Sequence, residues 1–207
     1  KKPPRTPGLY IVHPMPKEDE PVNDFLMEVW NNENTGLYFD VSTVADYGRL
    51  ARAVTEEGEG RIETVEGKRN AADFAIWRKT PAGETRQMEW DSPWGKGAPG
   101  WHLECSAMSA ALLGETFDIH GGGMDLQATH HTNEIAQSKA ACQKEPVRFW
   151  MHTNMLTVNG QKMSKSLGNS FLPQELFEGK HKLLERGYAP MVVRFFMLQA
   201  HYRSTLD

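Results

Sequence analysis

The stretch that most constrains this chain is FDIHGGGMDLQATHHTNEIAQ, Phe117 to Gln137. An apolar piece reading as a buried strand (Thr116–Ile119) runs into His120 and three consecutive glycines, a pattern that by itself predicts a tight turn. Asp125 follows, and then a polar segment, Thr129–Gln143, that reads as a helix with Thr129 as N-cap. His130 and Glu134 are four apart, so a helix projects them from one face a turn apart. Such a face is either solvated or holds a metal. Imidazole and carboxylate are both zinc ligands, and Cys105 upstream offers a thiolate, the donor that selects zinc over magnesium. A cysteine alone reads as a small buried hydrophobe. Only three candidate ligands stand out, one short of a tetrahedral set.

The surrounding chain is set by β–α alternation. CSAMSAALLG (Cys105–Gly114) predicts a helix closed by glycine. PVRFWMHTNMLTV contains the next strand, with Asn159-Gly160 as its turn. PQELFEGKHKLLERG and APMVVRFFMLQAHYRS read as helices. This order predicts an α/β fold with a parallel sheet covered by helices, whose ligands sit in loops beyond the strand C-termini. Before Gly100 the texture is looser. Residues 1–22 are proline-rich and irregular, and Asp24–Asn34 carries a helical apolar face. Gly36–Thr43 reads as a strand, Ala45–Val54 as a short helix, and Thr55–Asp73 as an exposed acidic segment. Phe74–Thr80 is strand-like and Ala82–Gly100 is turn-rich.

With 207 residues, 39 % apolar and 24 % charged, the chain supports one sizeable core, with or without a small appendage. No run is apolar enough to span a membrane, and the first residues have no signal-peptide character. Two cysteines do not make a disulfide framework, so a reducing cytoplasm is the default expectation. A net charge of −4 excludes nucleic-acid binding by bulk charge but not by a local basic surface.

Three further residues or groups carry chemistry. Asp125 can accept from a ribose or substrate amine, or cap a helix. His120, at a strand end, faces either a site or a structural hydrogen bond. Trp101 and Trp150 read as core by composition. Lys162 and Lys165, framing Met163-Ser164 and followed by Ser166, Gly168 and Asn169, can converge on phosphate oxygens and stabilise the charge that builds on leaving pyrophosphate.

KMSKS (Lys162–Ser166), with its extension LGN, resembles the second signature of class I aminoacyl-tRNA synthetases. PGWHLECSAM (Pro99–Met108), FDIHGGGMDL and HHTNEIAQ together resemble the cysteinyl-tRNA synthetase family specifically. The likeness is dense from about residue 72 to 207, including RNAADFAIWR, WDSPWG and VRFFMLQAHYRS. It is looser over 36–71 and least over 1–35. It implies that residues 1–98 belong to the connective-peptide insertion. Residues 99–207 would then form the second half of the Rossmann-type catalytic domain, with the KMSKS loop.

The resemblance further implies a zinc ion, one per subunit, held by Cys105, His130 and Glu134 and binding the substrate thiolate. Trp101 and His120 would wall the cysteine pocket. Gly122, Gly123 and Asp125 would meet the adenosine ribose, while Lys162 and Lys165 would act on the phosphates of ATP, which enters with Mg²⁺. The implied partners are tRNA(Cys), L-cysteine and ATP, with no membrane. The chain departs from the family at Ala128-Thr129, usually Phe-Pro, and at Thr132, usually Glu; neither change removes a ligand. It has no HIGH motif, and Val12-His13 stands where the family's early zinc-binding cysteine would fall. On this reading the first half of the Rossmann domain is absent, and the 207 residues stop where tRNA-contacting domains would begin. Activity of the fragment alone is not expected. Two other functions fit the residues: the cysteine ligase of mycothiol biosynthesis, which also has a KMSKS-like loop, and a non-catalytic zinc-binding paralogue. Glu134 favours the synthetase over the ligase.

Overall fold

A computed structural model describes residues 29–51 and 69–207. The proline-rich start, the first part of the helix expected over 24–34, and most of the acidic segment lie outside these residues. The described residues fall into two compact units, one from the described residues up to His120 together with 126–149, the other from 121–125 and 150–207.

The first unit begins with a four-stranded antiparallel sheet in the order β1 (Val29–Asn32), β2 (Gly36–Phe39), β3 (Phe74–Lys79), β4 (Gly97–Pro99). The described end of the expected helix over 24–34 is therefore a strand. Asn32 Oδ1 accepts from the backbone N–H groups of Asn34 and Thr35 at 2.9 and 3.1 Å, closing a turn that folds Val29–Asn32 back onto β2. A β-branched, asparagine-rich segment joins that hairpin more readily than it continues a helix. The short helix expected from Ala45 is also replaced, over the described residues to Ala51, by successive turns. Their bonds run three residues back, as from Tyr47 N to Val44 O and from Ala51 N to Gly48 O. Gly48, at φ +81°, breaks any helical continuation.

Two helices cover this sheet: α1 (Trp101–Leu113), closed by Gly114, and α3 (His130–Cys142). Helix α1 starts four residues before its expected beginning at Cys105, which places Trp101 and His102 on the helix. Its N-cap, Gly100, donates to Ile76 O at 2.7 Å. A Cβ there would overlap the Ala75 carbonyl, so only glycine lets the helix start this close to β3. The core cluster is Phe39, Val41, Phe74 and Ala136. Phe39 and Phe74 stack at 5.1 Å, a pair contributing about 1 kcal/mol beyond its buried area.

Strands β5 (Phe117–Gly123) and β6 (Val147–Thr153) pair in a two-stranded parallel sheet, with α2 (Met124–Gln127) and α3 in the connection between them. The expected parallel α/β element is present, joined to an antiparallel sheet that the looser N-terminal texture concealed. Two details differ from expectation. β5 is not buried, since Ile119 is 61 % exposed. The three glycines continue the strand instead of turning.

The second unit contains the β7 (Thr157–Val158) and β8 (Gln161–Lys162) hairpin, α4 (Pro173–Glu178) and α5 (Pro190–Gln199). Asn159 and Gly160 make the hairpin turn at φ 51° and 73°, as their sequence predicts. The two long helices expected after the lysine loop are shorter. α4 ends at Gly179 in the left-handed conformation, and residues after Gln199 form turns. Among the described residues no helix is long and apolar enough to cross a membrane.

The Gly100 contact yields a prediction. Gly100→Ala should destabilise the chain by about 2–3 kcal/mol in urea unfolding, the cost of overpacking against backbone that cannot yield. A change below about 0.5 kcal/mol would show that the helix does not start against β3.

Candidate metal centre and lysine loop

The first two turns of α3 are polar at almost every position, yet His130 through Gln137 are all buried. The solvated-face reading of His130 and Glu134 therefore fails. Several of these polar groups find partners. Tyr47 Oη donates to Asn133 Oδ1 at 2.6 Å, and Thr132 Oγ1 donates to Gln127 O at 2.9 Å. The Gln137 amide lies 2.7 Å from Ser106 Oγ on α1. Burial, with the Asp73 carboxylate nearby, pushes the Tyr47 phenol up to about 12, so it stays a donor. Thr129 occupies the N-cap position but makes no side-chain capping bond.

Cys105 from α1 joins His130 and Glu134, with their donor atoms all within 4.8 Å of one another. His130 Nε2 stands 3.0 Å from Glu134 Oε1, and His120 Nε2 stands 3.4 Å from Glu134 Oε2. Although close to His130, Glu134 Oε1 is buried without a hydrogen bond of proper geometry. An orphaned carboxylate oxygen aimed at an imidazole and a thiol fits a cation between them. The carboxyl titrates accordingly. Burial raises its pKa, but the close contacts and charge of His120 and His130 outweigh this and hold it at about 2. Cys105 moves the other way, its thiol pushed up by burial and then by the Glu134 and Glu104 carboxylates. Without a metal it is protonated at neutral pH.

Trp101 is 57 % exposed, not core, and its ring lies 4.3 Å from that of His130. All five residues expected around the metal and amino acid (Trp101, Cys105, His120, His130, Glu134) thus gather in the first unit. Sequence reasoning missed two more. His102 Nδ1 is 2.8 Å from His130 Nδ1, and His131 forms a second potential ligand group with His120 and Glu134. Burial and the neighbouring His130 depress His102 to about 4, so it is neutral at pH 7. In the tautomer where His130 donates from Nδ1 to His102, its Nε2 lone pair is left for a metal. The spacing of His102 and Cys105, three apart on one helix, was the available signal.

The second unit holds the other expected residues. Gly122 and Gly123 end β5, and Asp125 lies exposed in the first turn of α2. The absence of a side chain at Gly123 makes room for the Asp125 carboxylate. Lys162 ends β8, and Lys165 opens a turn closed by a bond from Gly168 N to Lys165 O at 3.1 Å. Both lysines are exposed.

A parallel β–α–β element, a thiol–imidazole–carboxylate cluster and a KMSKS loop define the catalytic domain of a class I aminoacyl-tRNA synthetase. The chain belongs to that family in its cysteine branch: the model for the tRNA synthetases class I (C) catalytic domain matches residues 23–207. Among similar proteins, the cysteine-tRNA ligase of Novosphingobium aromaticivorans is 62 % identical over 84 % of this chain. Those of Cytophaga hutchinsonii and Thermococcus onnurineus are 54 % and 52 % identical over 93 % and 84 % of it. The chain spans 36 %, 40 % and 35 % of these relatives' lengths, respectively.

Two predictions test the cluster. Cobalt(II) should bind with a thiolate charge-transfer absorbance that disappears in Cys105→Ser, and affinity should rise between pH 6 and 8 as the thiol proton is displaced. Absorbance unchanged in the variant would exclude Cys105 as a ligand. The Glu134 carboxyl has a folded pKa below its ordinary 4.5, so in metal-free protein its stabilisation is present above about pH 4.5 and lost as pH falls toward about 2. The stability gap between wild type and Glu134→Gln should therefore close across that window in urea titrations. A constant gap would contradict the depressed pKa.

Proposed function

We propose that the complete gene product carrying this chain activates L-cysteine with ATP and attaches it to tRNA(Cys), acting in the cytoplasm, and that these residues form part of its catalytic domain. On this reading residues 1–98 lie in the connective-peptide region and 99–207 in the second half of the Rossmann-type domain. The observation that carries the proposal is the convergence of Cys105, His130 and Glu134 donor atoms within 4.8 Å, on a chain that also bears a KMSKS loop.

Zinc held by Cys105, His130 and Glu134 would supply a thiophilic centre that favours cysteine's thiolate over serine's hydroxyl. That chemistry matters because a purely steric pocket separates near-isosteres by only about 10²-fold. The chain's own residues do the positioning. Trp101, over the His130 ring, and His120, beside Glu134, form the wall against which the amino acid rests. Gly122 and Gly123 let backbone approach the nucleoside, and Asp125 accepts from its ribose hydroxyls. The cysteine carboxylate attacks the α-phosphate, and the bond to pyrophosphate breaks. Lys162 and Lys165, with Mg²⁺ on the phosphates, balance the charge that develops on the departing group. The terminal ribose hydroxyl of the tRNA then takes the cysteinyl group and releases AMP.

Cysteine-dependent exchange of pyrophosphate into ATP by the complete gene product is the test. Lys162→Ala and Lys165→Ala should each lower exchange by roughly 10²- to 10³-fold while leaving bound zinc unchanged. No exchange by the wild-type protein, or exchange supported by serine equally well, would overturn the reading.

A further inference from the structure

Among the described residues of the second unit, Asn169 is the one that is buried. Its side chain lies inside the lysine loop and spans it. Asn169 Oδ1 accepts from Ser164 N at 2.8 Å, and Nδ2 donates to Lys162 O at 3.3 Å. One bond thus falls on the backbone of Lys162 and the other on the residue preceding Lys165. The remaining loop contacts are local and exposed: Ser164 Oγ accepts from Leu167 N and lies 3.2 Å from Ser166 Oγ. Gly168, in the left-handed region at φ +61°, reverses the chain so that Asn169 can turn back inside.

The amide is matched to this task. It must accept from an N–H and donate to a carbonyl at once, which aspartate and leucine cannot do. A buried amide with both ends satisfied has two strong reasons to keep its place, since freeing either end would leave a desolvated polar group. The lysines themselves are exposed and long, so their reach is set by where their backbone is held.

We infer that Asn169 is a positioning residue for the phosphate-binding lysines, its side-chain amide clamping the backbone at Lys162 and Ser164 so that both ammonium groups meet the leaving pyrophosphate together. This rests on the cysteine-activation reading for its kinetic consequence but not for the clamp itself. Two measurements on the complete gene product keep the two apart. Hydrogen exchange at the Ser164 amide, which needs no activity, should be protected in wild type and lose at least about tenfold protection in Asn169→Ala. In cysteine-dependent pyrophosphate exchange, Asn169→Ala and Asn169→Asp should lower kcat by roughly 10- to 100-fold, with KM for cysteine unchanged within about twofold. Asn169→Asp retains the acceptor and so provides a folded variant if the alanine protein does not fold.

In a background lacking both lysines, removing Asn169 should cost less than about threefold, because it acts only through them. Equal losses in both backgrounds would assign Asn169 a general structural role and overturn the inference. So would wild-type exchange rates in either single variant, or an unprotected Ser164 amide in the unsubstituted protein. Absence of exchange in the unsubstituted protein would overturn the activation reading and with it the kinetic role of the clamp, while Ser164 protection tests the clamp itself.

Discussion

The first unit depends on keeping one carboxylate, Glu134, out of water. Its side chain is nearly inaccessible, and an isolated charge in that position would cost several kcal/mol. The cost is offset by two imidazoles that reach it from different elements, His120 from β5 and His130 from its own helix. These contacts require α3 to enter the protein interior with its polar side chains intact. Helix α1 lies against β3, and from it Cys105 and His102 reach the same cluster. The absence of a side chain at Gly100 permits that approach. The thiol–imidazole–carboxylate cluster and a hydrophobic core are therefore built on the same scaffold, with Phe74 in contact with both Phe39 and His102.

The second unit is ordered by a different kind of interaction. Helix α5 leaves Phe195 and Leu198 66 % and 70 % exposed, and the described residues around the lysine loop bury little besides Asn169. Hydrogen bonds take the place of packing. Asn154 N donates to Tyr202 O, and Leu206 N donates to Met155 O. The Asp207 carboxylate accepts from both Thr157 Oγ1 and Gly160 N at the hairpin turn. Such directional bonds fix a backbone path while leaving side chains free to meet a ligand. That suits a loop whose lysines are proposed to act on phosphate.

Local chemistry was legible in the residues where a short motif forces its own geometry. Asn159-Gly160 demanded a hairpin turn and Gly114 a helix end, and both are present. Legibility failed where pairing with a neighbouring strand, or the backbone conformation of a single glycine, decided the outcome. Val29–Asn32 is strand because β2 offers it an edge, and Ala45–Ala51 is turn because Gly48 interrupts it. The glycines after His120 extend the strand because β6 lies alongside. The segment after Gly179 leaves the helix where a left-handed residue stops it.

By itself the sequence determined which chemical groups are available and in what order: a thiol, two histidine-bearing segments, a carboxylate four residues on, and a lysine loop. Recognition of the synthetase family followed from that order, because motif residues and their spacing are covalent facts. Tertiary structure alone decided that the polar start of α3 is buried, that Trp101 is exposed over His130, and that His102 stands beside the His130 imidazole. The physical reason is that burial of a polar residue is favourable only when its partners converge, and those partners come from strands and helices far apart in sequence.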